Sequence, residues 1–148
     1  MKKSFLVLAL CLLFAASAIA AEKKAAPGYL EKAAATKGAV KTASGAIVIP
    51  IKKGTGASPT AASTVKVHYT GKLTDGKDFD SSVERGQPAE FPLFRVIPCW
   101  TEGLQKMKVG GKARLVCPPE TAYGAAGAPP DVPPNAILNF EVELISIR

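Results

Sequence analysis

The chain holds one histidine, His68, so any triad or dyad chemistry would have to run through it. A Ser-His-Asp or Cys-His nucleophile needs an imidazole as its base, and no nucleophile motif accompanies His68. Its neighbours alternate, with Lys66 and Thr70 on the same strand face, which suits a structural or hydrogen-bonding imidazole. Cys11, Cys99 and Cys117 contain no C-x-x-C pair, which weighs against a thiol oxidoreductase. Asp75, Asp78, Asp80 and Glu84 gather carboxylates in a short stretch. A calcium loop opening at Asp78 would place Val83 where glycine is required and Ala89 where the closing glutamate belongs. There is no G-x-G-x-x-G run and no P-loop. The reading is therefore no metal and no cofactor.

What remains is non-covalent chemistry. Tyr69, Phe79, Phe91, Val96, Ile97, Trp100, Tyr123, Val132 and Phe140 are apolar or aromatic and fall near turns and loops. By residue type alone they would simply be core. Their order and local setting carry more information, because of the elements that must position them.

Thr64 to Thr70 alternates, with Val65, Val67 and Tyr69 on one face and Lys66, His68 and Thr70 on the other. The strand continues through Gly71-Lys72-Leu73 to Thr74-Asp75-Gly76-Lys77, where Asp-Gly signals a tight hairpin, and Phe79 resumes it. Ala46 to Ile51 is β-branched but interrupted by Pro50, which suits an edge or a bulge. A short strand is expected over Ala89 to Leu93. Pro98 can open a helix because its missing N–H is not needed there, and Trp100, Leu104 and Met107 form one apolar stripe. Gly110-Gly111 ends it. Ala113, Leu115 and Cys117 alternate with Arg114 and Val116. A loop from Pro118 to Asn135 holds six prolines. In the last strand, Ile137 to Ile147, Leu138, Phe140, Val142 and Leu144 share a face. The pattern predicts an α+β fold: a twisted antiparallel sheet of about five strands wrapped over one short helix.

At the start, Lys2 and Lys3 precede an apolar run from Phe5 to Ala16, and Ala18-Ile19-Ala20 supplies small residues for cleavage before Ala21. That is the layout of a secretory signal peptide over residues 1–20, too short for a transmembrane span. The expected destination is the periplasm or the exterior. Residues 21–44, rich in Ala, Lys and Gly, read as a flexible or partly helical arm, with a short helix over Tyr29 to Thr36. The domain proper would be 45–148. The formal charge is +7, and removing Lys2 and Lys3 lowers it by two. With lysines scattered and the chain exported, nucleic acid is not an expected partner. The basic arm (Lys23, Lys24, Lys32, Lys37, Lys41) could instead meet anionic glycan or lipid. Cleavage leaves Cys99 and Cys117, eighteen positions apart. In an oxidising compartment they invite a disulfide worth roughly 3 kcal/mol; two small buried thiols are the alternative.

The run Val67-His68-Tyr69-Thr70-Gly71, then Asp75-Gly76-Lys77-Asp78-Phe79-Asp80-Ser81-Ser82, resembles the FKBP-type (FK506-binding protein) peptidyl-prolyl isomerases. So do Phe91-Pro92-Leu93, Val96-Ile97-Pro98-Cys99-Trp100-Thr101-Glu102-Gly103-Leu104, Met107 to Ala113, Ala122-Tyr123-Gly124 and Pro133-Pro134-Asn135-Ala136. These blocks come in family order over about residues 45–148. Lys41-Thr42-Ala43-Ser44-Gly45 and Lys53-Gly54-Thr55-Gly56 resemble the lead-in of short exported bacterial members.

The resemblance implies an FKBP-like fold and a proline-isomerase activity without cofactor, on X–Pro-containing polypeptides, with FK506-type macrolides as inhibitors. Trp100 would be the pocket floor, with Tyr69, Phe79, Phe91, Val96, Ile97 and Phe140 as walls. Asp80 would lie beside the substrate carbonyl, or serve as a structural carboxylate paired with Tyr69 or Arg85. The Ile97 N–H and Tyr123 hydroxyl would donate to substrate, and Val132 would sit in a flap. Cys99 stands where many members have glycine and Cys117 where an aliphatic is usual, so the pair resembles a joint replacement. Ala89 replaces an aromatic wall of the best-known eukaryotic members. The alternative function is a proline-binding chaperone or adaptor without turnover. Longer exported relatives dimerise through an N-terminal helical domain, for which this arm is too short, so a monomer is expected.

Overall fold

The computed structural model describes residues 28–148. The expected leader, Cys11 and the first part of the arm lie outside the described residues.

Gly28, with φ of 82°, precedes helix α1 (Tyr29–Ala34). The chain continues through β1 (Val40–Lys41), β2 (Ile47–Lys52), β3 (Thr64–Leu73), β4 (Asp78–Ser81), α2 (Ser82–Arg85), β5 (Ala89–Pro92), α3 (Pro98–Leu104), β6 (Lys112–Cys117) and β7 (Leu138–Ile147). Single 3₁₀ turns lie at Leu93–Arg95 and Pro119–Thr121. The strands form one seven-stranded antiparallel sheet in the order β1-β2-β6-β7-β3-β4, with β5 also on β3. β5 pairs with the start of β3 (Thr64 to Val67) and β4 with its end (Thr70 to Lys72), so one long strand presents two short ones side by side.

Seven strands exceed the five expected: β1 has only two residues, too few to express an alternation pattern, and the stretch resuming at Phe79 forms a strand of its own, β4. The α+β class and the antiparallel sheet agree with the expectation. Pro50 sits exposed at a register shift between Pro50 and Lys52, where its missing N–H is tolerated. The α3 helix ends at Leu104, one turn short of the Trp100–Met107 stripe; Met107 is still buried, in the turn that follows.

The main core lies between α3 and one face of the sheet. Val65 and Val67 of β3, Leu115 of β6, and Leu138, Val142 and Leu144 of β7 are fully buried against Cys99, Trp100 and Leu104. Each such Val or Leu contributes about 1.5–3 kcal/mol by leaving water. Gly103 lets α3 approach the sheet closely: a Cβ there would lie 3.1 Å from Leu115 Cδ2. The opposite face has its own apolar cluster, which the one-helix expectation lacked. Ile47 and Ile49 of β2, Val116 of β6 and Ile137 pack with Ala33 of α1, flanked by Tyr29, Leu30 and Ala39. Asn139 Nδ2 donates to Tyr29 Oη at 2.8 Å and ties α1 to β7.

Candidate active site

One cavity, about 340 Å³, opens beside the N-terminal end of α3. Its walls are Tyr69, Phe79, Asp80, Phe91, Arg95, Val96, Ile97, Trp100, Tyr123 and Phe140. Every apolar residue singled out from the sequence reaches it except Val132. Val132 exchanges backbone hydrogen bonds with Ala128 at 2.9 Å each way and is buried in the main core, so it anchors the loop from within. Arg95 is a wall that no sequence pattern marks. A charged residue in an exposed turn leaves no periodic or apolar signal, and only its position two residues before Ile97 could have drawn attention to it.

The aromatic arrangement follows from the strands. β3 presents Tyr69 and β7 presents Phe140 inward, Phe91 comes from β5 and Phe79 from β4. Trp100, two residues past the helix start at Pro98, meets three of them nearly edge-on: Tyr69 at 5.1 Å and 84°, Phe91 at 5.5 Å and 87°, Phe140 at 5.3 Å and 86°. Phe79 packs on Phe140 at 5.5 Å and 82°. Perpendicular rings satisfy each other's quadrupoles and cannot collapse into one another, so the box keeps its opening. Gly71 makes room for it, since a Cβ there would lie 2.6 Å from Phe79 and 2.9 Å from Phe140.

The helix bearing Trp100 is fixed from both sides. Thr101 Oγ1 donates to the Leu93 carbonyl at 2.6 Å, holding α3 to the preceding 3₁₀ turn. Cys99, fully buried beside Trp100, is joined by a disulfide to Cys117 at the end of β6, with a Cα–Cα separation of 5.6 Å. Pro98 occupies the first helical turn and Ile97 is the N-cap residue. Among the described residues the Ile97 N–H has no backbone acceptor.

The polar side of the cavity is a closed triangle. Tyr69 Oη donates to Asp80 Oδ2 at 2.5 Å, Arg85 Nη1 donates to Asp80 Oδ1 at 2.5 Å, and Arg85 Nη2 donates to Tyr69 Oη at 3.0 Å. Partial burial alone would raise the Asp80 pKa, but hydrogen bonds from Tyr69 and Arg85 and the Arg85 charge outweigh it, and Asp80 is held below its ordinary value. The Tyr69 phenol is pushed above its ordinary value, first by burial and then by donating to Asp80. Asp80 is therefore an engaged carboxylate that orients Tyr69, and Tyr69 stays a neutral donor. His68 faces away, its Nδ1 3.0 Å from Ser82 Oγ. Tyr123 stands half-exposed at the rim on the loop after β6. Among the described residues no group of three His, Cys, Asp or Glu side chains could hold a metal ion.

A half-open aromatic box with one engaged carboxylate and donors at its edge is an arrangement that can hold a small apolar ring without covalent chemistry. The comparisons give that arrangement its family. The FKBP-type peptidyl-prolyl cis-trans isomerase family matches residues 56–145, and the chain belongs to it. It is 53% identical over 120 residues to the FKBP-type peptidyl-prolyl cis-trans isomerase FkpA of Aeromonas hydrophila, a span covering 81% of this chain and 44% of that protein. The crystal structure of FkpA from Escherichia coli superposes with a TM-score of 0.77 at 48% identity, covering 81% of this chain and 56% of the other. A peptidyl-prolyl cis-trans isomerase structure from Pseudomonas syringae gives 0.74 at 42% identity, covering 80% and 86%. The chain spans about half the length of the curated FkpA relatives it matches.

Proposed function

We propose that the chain accelerates cis–trans rotation about X–Pro bonds in exported polypeptides, with the proline ring seated on Trp100. The observation that carries this reading is the perpendicular aromatic box around Trp100, sized for a small ring and open on one side.

The X–Pro barrier, about 18–20 kcal/mol, comes from amide resonance. Twisting the bond breaks conjugation and yields a less dipolar state that an apolar box favours over the planar one. Tyr69, Phe79, Phe91, Val96, Ile97 and Phe140 would grip the ring. The Ile97 N–H and the Tyr123 hydroxyl would hold flanking carbonyls, while Asp80 keeps Tyr69 in place and its own charge beside the rotating amide. Each ~1.4 kcal/mol of preference for the twisted state gives a tenfold rate. No bond to the protein forms. Val132, buried under the proline-rich loop, would set the height of the flap over the site.

Export is part of the proposal. It is supported by the leader-like first twenty residues and by a fully buried disulfide, which persists in an oxidising compartment. An FK506-type macrolide would compete for the same box. The chain would act as a monomer. The test is exchange of a short X–Pro peptide followed by NMR, with Trp100→Ala alongside. Acceleration lost in the variant is expected. Peptide binding without acceleration would favour the adaptor reading.

A further inference from the structure

The cavity's charge balance is uneven. Asp80 is its one wall carboxylate and is fully engaged by Arg85 and Tyr69. Arg95, on the wall beside Val96 and Ile97, makes no ion pair among the described residues. The acids on the neighbouring segments are occupied: Glu90 of β5 pairs with Arg148 at 2.9 Å, and Glu102 of α3 accepts from Thr42 Oγ1 and the Ser44 N–H. The Arg95 guanidinium instead lies over the Phe94 ring, 5.4 Å from its centroid. Phe94 is 64% exposed, well above the other exposed aromatic at this end, Tyr123. An exposed aromatic holding a planar cation at the lip of an apolar pocket is a pre-ordered platform for a carboxylate.

We propose that Arg95, held on Phe94, selects proline sites flanked by an acidic side chain, so that preferred client segments carry Asp or Glu beside the X–Pro bond. The inference rests on the proline-isomerase reading of the pocket. A half-exposed charge pair supports a modest preference, about two- to fivefold, that weakens with salt.

The experiment compares matched peptides with Glu, Gln or Lys immediately before or after the X–Pro dipeptide, at low and high salt. The ratio of Glu to Gln peptide is read twice, as kcat/KM and as affinity by NMR titration. At low salt a ratio of about two to five is expected in at least one of the two positions. Arg95→Gln brings it to about one, Arg95→Glu inverts it toward the Lys peptide, and Phe94→Ala lowers it by a smaller factor. Lys41→Gln, on the far edge strand, leaves it unchanged. A ratio near one in the wild type, a ratio that survives Arg95→Gln, or an equal drop in Lys41→Gln overturns the proposal. If no peptide is turned over but the affinity ratio follows Arg95, the selection stands and the isomerase reading falls.

Discussion

Helices cover both faces of one sheet, and the two covers differ in what they leave behind. On one face α3 sets Trp100 among Tyr69, Phe91 and Phe140 and leaves a cavity of about 340 Å³. On the other, α1 sets Ala33 over Ile47, Ile49, Val116 and Ile137 in an all-aliphatic cluster. The smaller hollow beside α1, about 230 Å³, is lined by Leu30, Ala34 and Ile47 with Glu31, Lys41 and Glu120, and has no aromatic wall. Aliphatic side chains around a small alanine can close on one another, whereas stiff rings packed edge-on hold their spacing. Ring stiffness on one face thus keeps an aromatic box open, and side-chain compliance on the other leaves only a smaller, charge-rimmed hollow.

Substitutions separate the two faces. Trp100→Ala removes the floor and is expected to cost about 3–5 kcal/mol in stability, together with a more than tenfold loss of kcat/KM measured on protein shown to be folded by circular dichroism. Retained activity would mean that the box is not the site. Ile47→Ala, on the opposite face, should cost about 2–5 kcal/mol in a urea titration, with kcat/KM per folded molecule unchanged. If it also lost activity, the faces would be coupled.

The disulfide belongs to the first face. Reduction, or Cys117→Ser with Cys99→Ser, should lower stability by about 3 kcal/mol. Free-thiol titration of unfolded, unreduced mature protein should find none, and two would remove this staple from the account. Tyr29→Phe deletes the partner of Asn139 Nδ2, whose Oδ1 already lacks one. It should cost about 1–3 kcal/mol and leave turnover untouched.

The smallest change is expected from pH. The folded Asp80 lies below its unfolded value, so its contribution to stability is complete above about pH 4 and is lost only as pH falls through the folded value. Tyr69 is raised, so its contribution is complete below about pH 10 and is lost as pH rises through the folded value. Activity should therefore be flat with respect to both groups between these limits. A step near pH 4–5 that vanishes in Asp80→Asn would show that the carboxylate is not held by Arg85 and Tyr69.

The sequence disclosed the first face far better than the second. β3 and β7 alternate cleanly, which places Tyr69 and Phe140 on the inner side. Pro98 and the Trp100–Leu104 spacing mark the helix. The second face is carried by Ala33 in an alanine-rich arm and by Val116 among apolar neighbours, where neither period stands out. Its tether, Asn139 to Tyr29, joins residues too far apart in the chain for any local pattern to pair them. The resemblance puts Val132 in the flap; nothing in a proline-rich loop says that the Ala128 bridge also turns it into the core. Arg95 leaves no signal because an exposed turn tolerates any residue.

The central claim is that the Trp100 box turns over X–Pro bonds. Its most direct test is the cis–trans exchange rate of a short X–Pro peptide, followed by NMR with a catalytic amount of the mature chain. The account predicts exchange well above the uncatalysed rate, proportional to protein and lowered more than tenfold by Trp100→Ala. Exchange at the uncatalysed rate with folded wild-type protein would contradict it.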